Sequence, residues 1–203
     1  MSKTDNMFLR MLDIFAHFVM LNALWMVFCI PMITIFPATT ALFKVVQQWT
    51  TKGTDVGVLN LFITSFKKYF KKSFVIGLLW LLAGVILFVD LSILLQVEFT
   101  GSFLILILLM FSMILYIFVS MYALFLMVQY DDFSVQNILK HALILSVSKL
   151  HYTLLFLVII AFSLIFTYYV KVFLLMIGSV LAFVLYHLFQ RLDHAIEAVD
   201  MNE

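Results

Sequence analysis

The run from Phe103 to Met127 contains no charged residue. Coiled as an α-helix it would be about 38 Å long, more than the roughly 30 Å of hydrocarbon in a bilayer. Three further runs are of the same kind. Phe74 to Leu95 is apolar apart from Asp90 and a few small or hydroxyl residues, and Tyr152 to Val170 is parted from Val172 to Phe189 only by Lys171. Leu9 to Ile30 reaches a spanning length if Arg10 and Asp13 lie among the headgroups. The expected class is therefore all-α, a polytopic bundle of transmembrane helices in one membrane domain covering residues 1–203, with at least five crossings.

Composition agrees. Residues of the apolar class make up 66% of the chain, charged residues 11%, and the mean hydropathy is +1.18. A soluble domain with half its surface in water does not tolerate such values. The formal net charge of +1 shows no basic stripe on a soluble module, so nucleic acid is not an expected partner. Cys29 is the single cysteine, which rules out an internal disulfide and a cysteine-based metal site. Lys3 and Arg10 ahead of Ile14 to Ile30 imitate a secretory signal, but the apolar run exceeds the roughly 7 to 15 residues of such a signal's core, and no small-x-small cleavage site follows. The first helix is expected to stay in the membrane.

Residues 31–49 are ambiguous because Pro31 and Pro37 resist one continuous helix. Pro37 suits the first turn of a new helix, and Ala38, Thr39, Thr40 and Ala41 would let it pack closely on a neighbour. If this stretch does not cross, Lys3, Arg10 and Lys171 fall outside and the other nine of the twelve Lys and Arg fall inside; if it does, only Lys171 is outside. The positive-inside rule favours crossing. The expectation is six helices, near 9–30, 35–49, 73–95, 103–128, 151–170 and 172–189, with five as the alternative. Both termini are expected in the cytoplasm, and the protein in the cytoplasmic membrane.

Residues 57–72 form a different pattern. At 100° per residue Val58, Leu59, Phe62, Ile63, Phe66, Tyr69 and Phe70 share one arc, while Asn60, Thr64, Lys67, Lys68, Lys71 and Lys72 lie opposite. This predicts a cytoplasmic interfacial helix, its apolar face in the acyl boundary and its four lysines on the headgroups of an anionic lipid bilayer. A weaker counterpart follows Asp132 and Ser134, either of which can cap a helix whose stripe is Val135, Ile138, Leu139 and Ala142. A surface helix followed by two crossings would then occur twice, although only Asn60-Leu61 and Asn137-Ile138 align.

Three stretches carry a family resemblance: Asn22-Ala-Leu-Trp25 leading to Pro31, then Pro31-Met-Ile-Thr-Ile-Phe-Pro37-Ala-Thr-Thr-Ala-Leu42, then Ser65-Phe66-Lys67-Lys68-Tyr69-Phe70-Lys71. Together they resemble the YesL family of bacterial membrane proteins, with an N-x-L-W helix, a Pro-bounded break and an S-F-K surface helix at matching spacing. Tyr122-Ala-Leu-Phe125 and Asn137-Ile-Leu-Lys140-His-Ala142 resemble the family's second half. Phe36 stands where a Gly is usual, Phe125 and Leu181 where prolines are common, and Gln129 where an Arg is usual. Straighter helices are expected from these departures. The resemblance implies a setting beside carbohydrate ABC transporter subunits, since members are often encoded next to them, and brings with it no established biochemical activity.

Asp90 is the one acid inside a long span. It reads either as a wetted helix end, because the span stops about five residues later, or as a substrate or ion contact; a pairing with Lys171 is a structural variant. His17 and Asn22 lack a second ligand at i+3 or i+4 and are expected, with Thr39 and Thr40, to make interhelical hydrogen bonds or to line a polar path. His187, Asp193, His194 and Glu197 resemble a metal cluster, but in a polar tail with Asp200 and Glu203. No nucleophile, metal-protease, P-loop or dinucleotide motif is present, so neither enzyme activity, a metal nor a cofactor is expected. The functional expectation is an accessory or assembly component associated with carbohydrate uptake. The alternative is a small oligomeric transporter or channel, with Asn22, Thr39, Thr40 and Asp90 along its path; an intramembrane enzyme ranks third.

The charge pattern yields a topology test. Reporter fusions after residues 52, 132 and 203 should read cytoplasmic, and those near 98 and 171 external. An external signal at 52 would overturn this arrangement, and labelling of a cysteine placed at Lys3 only from the outside would restore five crossings.

Overall fold

A computed structural model describes the backbone of residues 3–53, 57–96 and 102–200, and the side chains of 9–53, 57–96 and 102–191. Among these residues there are seven α-helices and no strand. They are α1 (Lys3–Cys29), α2 (Ile35–Lys52), α3 (Val58–Leu94), α4 (Ser102–Gln129), α5 (Val135–Ser148), α6 (Leu150–Tyr169) and α7 (Ile177–Asp200). Short 3-10 turns at Met32–Thr34 and Lys171–Leu175 join α1 to α2 and α6 to α7.

Among the described residues four helices are long and apolar enough to cross a bilayer: Leu9–Cys29, Val58–Leu94, Ser102–Gln129 and Leu150–Tyr169. The apolar part of α7, Ile177–Arg191, is shorter, and α2 is not among the four. Their outer surfaces carry exposed Leu78, Leu82, Phe88, Leu104, Leu108, Phe111, Val158, Phe162 and Ile165. Apolar area of that extent is stable only against lipid.

α2 is the helix that the others surround. Phe36, Pro37, Ala38, Thr40, Ala41, Leu42, Phe43, Val45, Val46 and Trp49 are all buried in it. Small side chains let its backbone approach α3 closely: a Cβ added at Gly77 would lie 2.9 Å from Phe36 Cβ, and the Phe36 ring packs on Trp80 at 5.3 Å. The break before α2 is satisfied locally. α1 stops at Cys29, two residues ahead of Pro31, and the Thr34 hydroxyl donates to the orphaned carbonyl of Phe28 at 2.5 Å. A second cluster closes the bundle elsewhere, where Phe189 of α7 stacks on Phe125 of α4 at 4.6 Å and meets Phe156 of α6 at 4.4 Å. α4 runs unbroken through Phe125 and α7 through Leu181, the two positions at which the resemblance led to an expectation of straighter helices.

Residues 57–72 depart from expectation in two ways. They are not a separate surface helix: α3 is continuous for 37 residues. No Gly or Pro falls between Val58 and Ile76, and the Ser73 hydroxyl bonds back to Tyr69 O at 2.5 Å within the helix. Nor is the whole apolar face left for an acyl boundary, although Leu59 stays exposed. Val58, Phe62, Ser65 and Tyr69 are buried by protein, with Phe28 of α1 packed on Phe62 and Phe66 at 5.3 and 4.8 Å. A 37-residue helix is about 55 Å long, so a span of about 30 Å leaves roughly 16 residues beyond the hydrocarbon, which matches the lysine-bearing part. By contrast α5 is a separate helix, N-capped by Ser134, which accepts from Asn137 N, with Ile138 and Ala142 buried. The two amphipathic segments therefore do not repeat the same form.

The close approach of α2 and α3 predicts a sharp contrast between glycines. Gly77→Ala should lower the heat-unfolding midpoint in detergent, at a cost of about 1–3 kcal/mol, because Phe36 Cβ is tied to its backbone and cannot give way. Gly57→Ala, with nothing within 4 Å of the added carbon, should leave the midpoint unchanged.

Candidate functional site

Polar chemistry gathers at the lysine-rich end, where α2, α3 and the turn after α4 meet. Lys44 sits in the middle of α2 with its side chain only 15% exposed. A cation so placed needs acceptors. Its Nζ donates to Val128 O at 3.1 Å, lies 3.5 Å from Asp131 Oδ1 and stands 5.5 Å from the centre of the Tyr69 ring.

Asp131 is the shared partner. Its carboxylate takes Lys68 Nζ at 2.5 Å and the Tyr69 hydroxyl, and its backbone carbonyl accepts from Lys72 Nζ at 2.8 Å. Partial burial pushes the Asp131 carboxyl up, but the hydrogen bonds from Lys68 and Tyr69 and the charges of Lys44 and Lys68 outweigh it and hold the pKa at about 2. Beside this group Gln129 Oε1 accepts from Gln47 Nε2 at 3.2 Å and from the Tyr186 hydroxyl at 3.1 Å, joining α2, α4 and α7. Gln129 thus stands where an Arg is usual and serves as an acceptor. A cavity of about 370 Å³ opens here, lined by Lys44, Gln129, Tyr130, Asp131, Asp132 and Phe133.

The four lysines expected on headgroups divide. Lys67 and Lys71 are exposed, whereas Lys68 and Lys72 are held by Asp131. Nor do the residues considered for a polar path come together. Asn22 is buried and bridges helices: its amide donates to Leu174 O at 3.2 Å and to Met26 Sδ at 3.6 Å, and its Oδ1 accepts from Gly178 N at 3.0 Å. Gly178 lies in the first turn of α7, so Asn22 satisfies one of that helix's orphan donors from another helix. Thr39 accepts from Trp25 Nε1 at 3.1 Å and donates to Ile35 O. Thr40 bonds to Phe36 O at 2.9 Å and touches Met127 Sδ. His17 Nδ1 meets Asp13 O at 2.7 Å within α1.

Asp90 is exposed near the far end of α3, in a cavity of about 410 Å³ formed with Ile105, Leu108, Leu109 and Ser112 of α4. Among the described residues it makes no ion pair with Lys171. His187 is exposed, and the side chains of Asp193, His194 and Glu197 lie outside the described residues. Lys44 and Asp131 were not singled out from sequence, and Tyr69 and Gln129 were read only as part of an apolar arc and as a departure from a usual Arg. One signal was available: Lys44 lies inside the otherwise apolar stretch Ala41 to Val46, and a buried lysine demands an acid.

Helices with lipid-facing sides and a charged cluster at one end define a polytopic α-helical membrane protein. Residues 18–91 match a family model described as "Protein of unknown function, DUF624". The chain is 36% identical over 81 residues to Uncharacterized protein YesL of Bacillus subtilis (strain 168), covering 38% of this chain and 39% of that protein. It is 32% identical over 150 residues to Uncharacterized protein YteU of the same organism, covering 72% of this chain and 66% of that protein. The chain belongs to the YesL family. The matches span less than two thirds of either relative's length. No solved structure matches.

The Asp131 contacts carry a prediction with a defined sign. A carboxyl held below its ordinary 3.8 contributes stability that is complete above about pH 4 and is lost as pH falls through about 2. Heat stability in detergent should therefore be insensitive to this group from pH 8 to 5 and fall below 4. Asp131→Ala should cost about 1–3 kcal/mol at neutral pH, by stranding the Tyr69 hydroxyl and removing the counter-charge of Lys44, and should flatten the acid decline. An unchanged acid profile in the variant would assign that decline to other carboxyls.

Proposed function

We propose that this protein is a non-enzymatic accessory or assembly component of the cytoplasmic membrane, with both termini in the cytoplasm, serving a carbohydrate uptake system. The observation that carries the reading is how the polar groups are used. Asn22, Thr39, Thr40 and Trp25 are taken up in helix-to-helix or helix-internal bonds, so they act as mortar for the bundle. A cluster of charged groups lies at one end, where the α3 extension presents Lys67 and Lys71 outward. Such a molecule is suited to holding a partner by its protruding end and helix faces. Carbohydrate ABC transporter subunits are the partner class that the family resemblance suggests.

The rival reading, a small oligomeric transporter or channel, draws support from the Asp90 cavity alone. Two measurements on the full chain separate the readings. Purification in mild detergent from cells growing on the relevant sugar should recover transporter subunits at fixed stoichiometry, and the purified protein in liposomes should show no sugar or ion flux above empty vesicles. Flux that Asp90→Asn abolishes, with no co-purifying subunit, would replace the accessory reading by the rival.

A further inference from the structure

A lipid-facing groove of about 480 Å³ runs along α3 and α4 and is closed on one side by α5. Its wall on α3 extends from Ile76 through Trp80 to Leu87, its wall on α4 includes Tyr116, and Leu139 and Leu143 of α5 complete it. Ile76 to Leu87 is a rise of about 16 Å, close to half of the roughly 30 Å hydrocarbon core and so to the length of one leaflet's acyl chain. Lys72 lies one helical turn before Ile76 on the same face, and its side chain leans toward the helix N-terminus, away from the apolar wall. Its Nζ is held by the Asp131 carbonyl at 2.8 Å, which leaves donors for a second acceptor. An apolar slot of acyl-chain length with a positioned ammonium one turn beyond its end fits a single molecule, charged at one end and apolar for the rest.

We propose that this groove is a specific binding site for an anionic phospholipid, with one acyl chain against Trp80 and the phosphate on Lys72. The site is independent of the accessory role. Sign and depth favour an anionic lipid of the leaflet at the lysine-rich end. The cavity toward the other end of the same two helices carries Asp90 and no lysine among its lining residues, whereas the Asp131 carboxylate near Lys72 is already paired with Lys44 and Lys68.

Trp80 is a built-in reporter, stacked on Tyr116 at 4.9 Å and 38% exposed in the groove. In the full chain carrying Trp25→Phe and Trp49→Phe, reconstituted into phosphatidylcholine vesicles, brominated phosphatidylglycerol should quench Trp80 with about fivefold higher apparent affinity than brominated phosphatidylcholine. Lys72→Gln should remove the preference, whereas Lys67→Gln should keep it. Ala83→Phe, which fills the slot, should reduce quenching by both lipids. If the double Trp variant does not fold, native mass spectrometry of the wild-type protein reads the same point: phosphatidylglycerol should stay bound, and be lost from Lys72→Gln. Equal quenching by the two lipids, or a preference that survives Lys72→Gln, overturns the site and leaves ordinary annular lipid. Absence of quenching together with a dimer in detergent also overturns it, and gives the groove to a second copy.

Discussion

A carboxylate on the turn after α4 meets lysines from two other helices, and the arrangement of the lysine-rich end follows from that meeting. Lys44 has its position because α2 is the most enclosed helix of the bundle, so its ammonium cannot be solvated freely. Asp131 can serve it only if α4 ends at the depth of Lys44 and its turn folds back across α3. Once there, the same acid collects Lys68 and Tyr69 through its side chain and Lys72 through its carbonyl. Exposed ion pairs are worth about 0–1 kcal/mol each, so Lys68 alone adds little. The larger quantity is the penalty avoided at the Tyr69 hydroxyl and at Lys44, a largely buried cation that would otherwise keep only the Val128 carbonyl and no counter-charge.

Deeper in the apolar region the same rule acts without charges. Hydrocarbon offers no hydrogen bonds, so each polar side chain there must find a neighbour or its own backbone. Asn22 does this at the most informative place, the start of α7, where the unpaired donors of a helix N-terminus would otherwise lie near lipid. The Trp25 to Thr39 bond ties α1 to α2 across the proline-bounded break, so the reversal between these helices is fixed by a side chain as well as by the 3-10 turn. Trp49 is the exception: its indole N–H is buried with no acceptor among the described residues.

The helices were legible because length and apolar runs decide them almost alone; α4 and α6 fall within a residue or so of the expected bounds. What covers a helix face was not legible. The spacing of Phe62, Phe66 and Tyr69 shows an apolar side, and that pattern is the same whether the cover is lipid or another helix. In this chain the cover is α1 and α2, and a reading limited to one segment has no access to it. The lysines on the opposite side were equally ambiguous. Their division into exposed Lys67 and Lys71 and bound Lys68 and Lys72 is set by Asp131, 59 to 63 residues away in sequence.

The long α3 connects these two levels of organisation. Its lysine-bearing part is too polar for hydrocarbon and its remainder too apolar for water, so the boundary near Ser73 fixes the depth of the helix in the bilayer. α2, packed antiparallel along it with Phe36 beside Gly77 and Lys44 beside Tyr69, inherits that depth. Its C-terminal half ends among the polar groups around Asp131. A helix enclosed by protein has no need of the hydropathy of a lipid-facing one, and for that reason α2 can carry Lys44, Gln47 and Gln48 while remaining the core of the bundle.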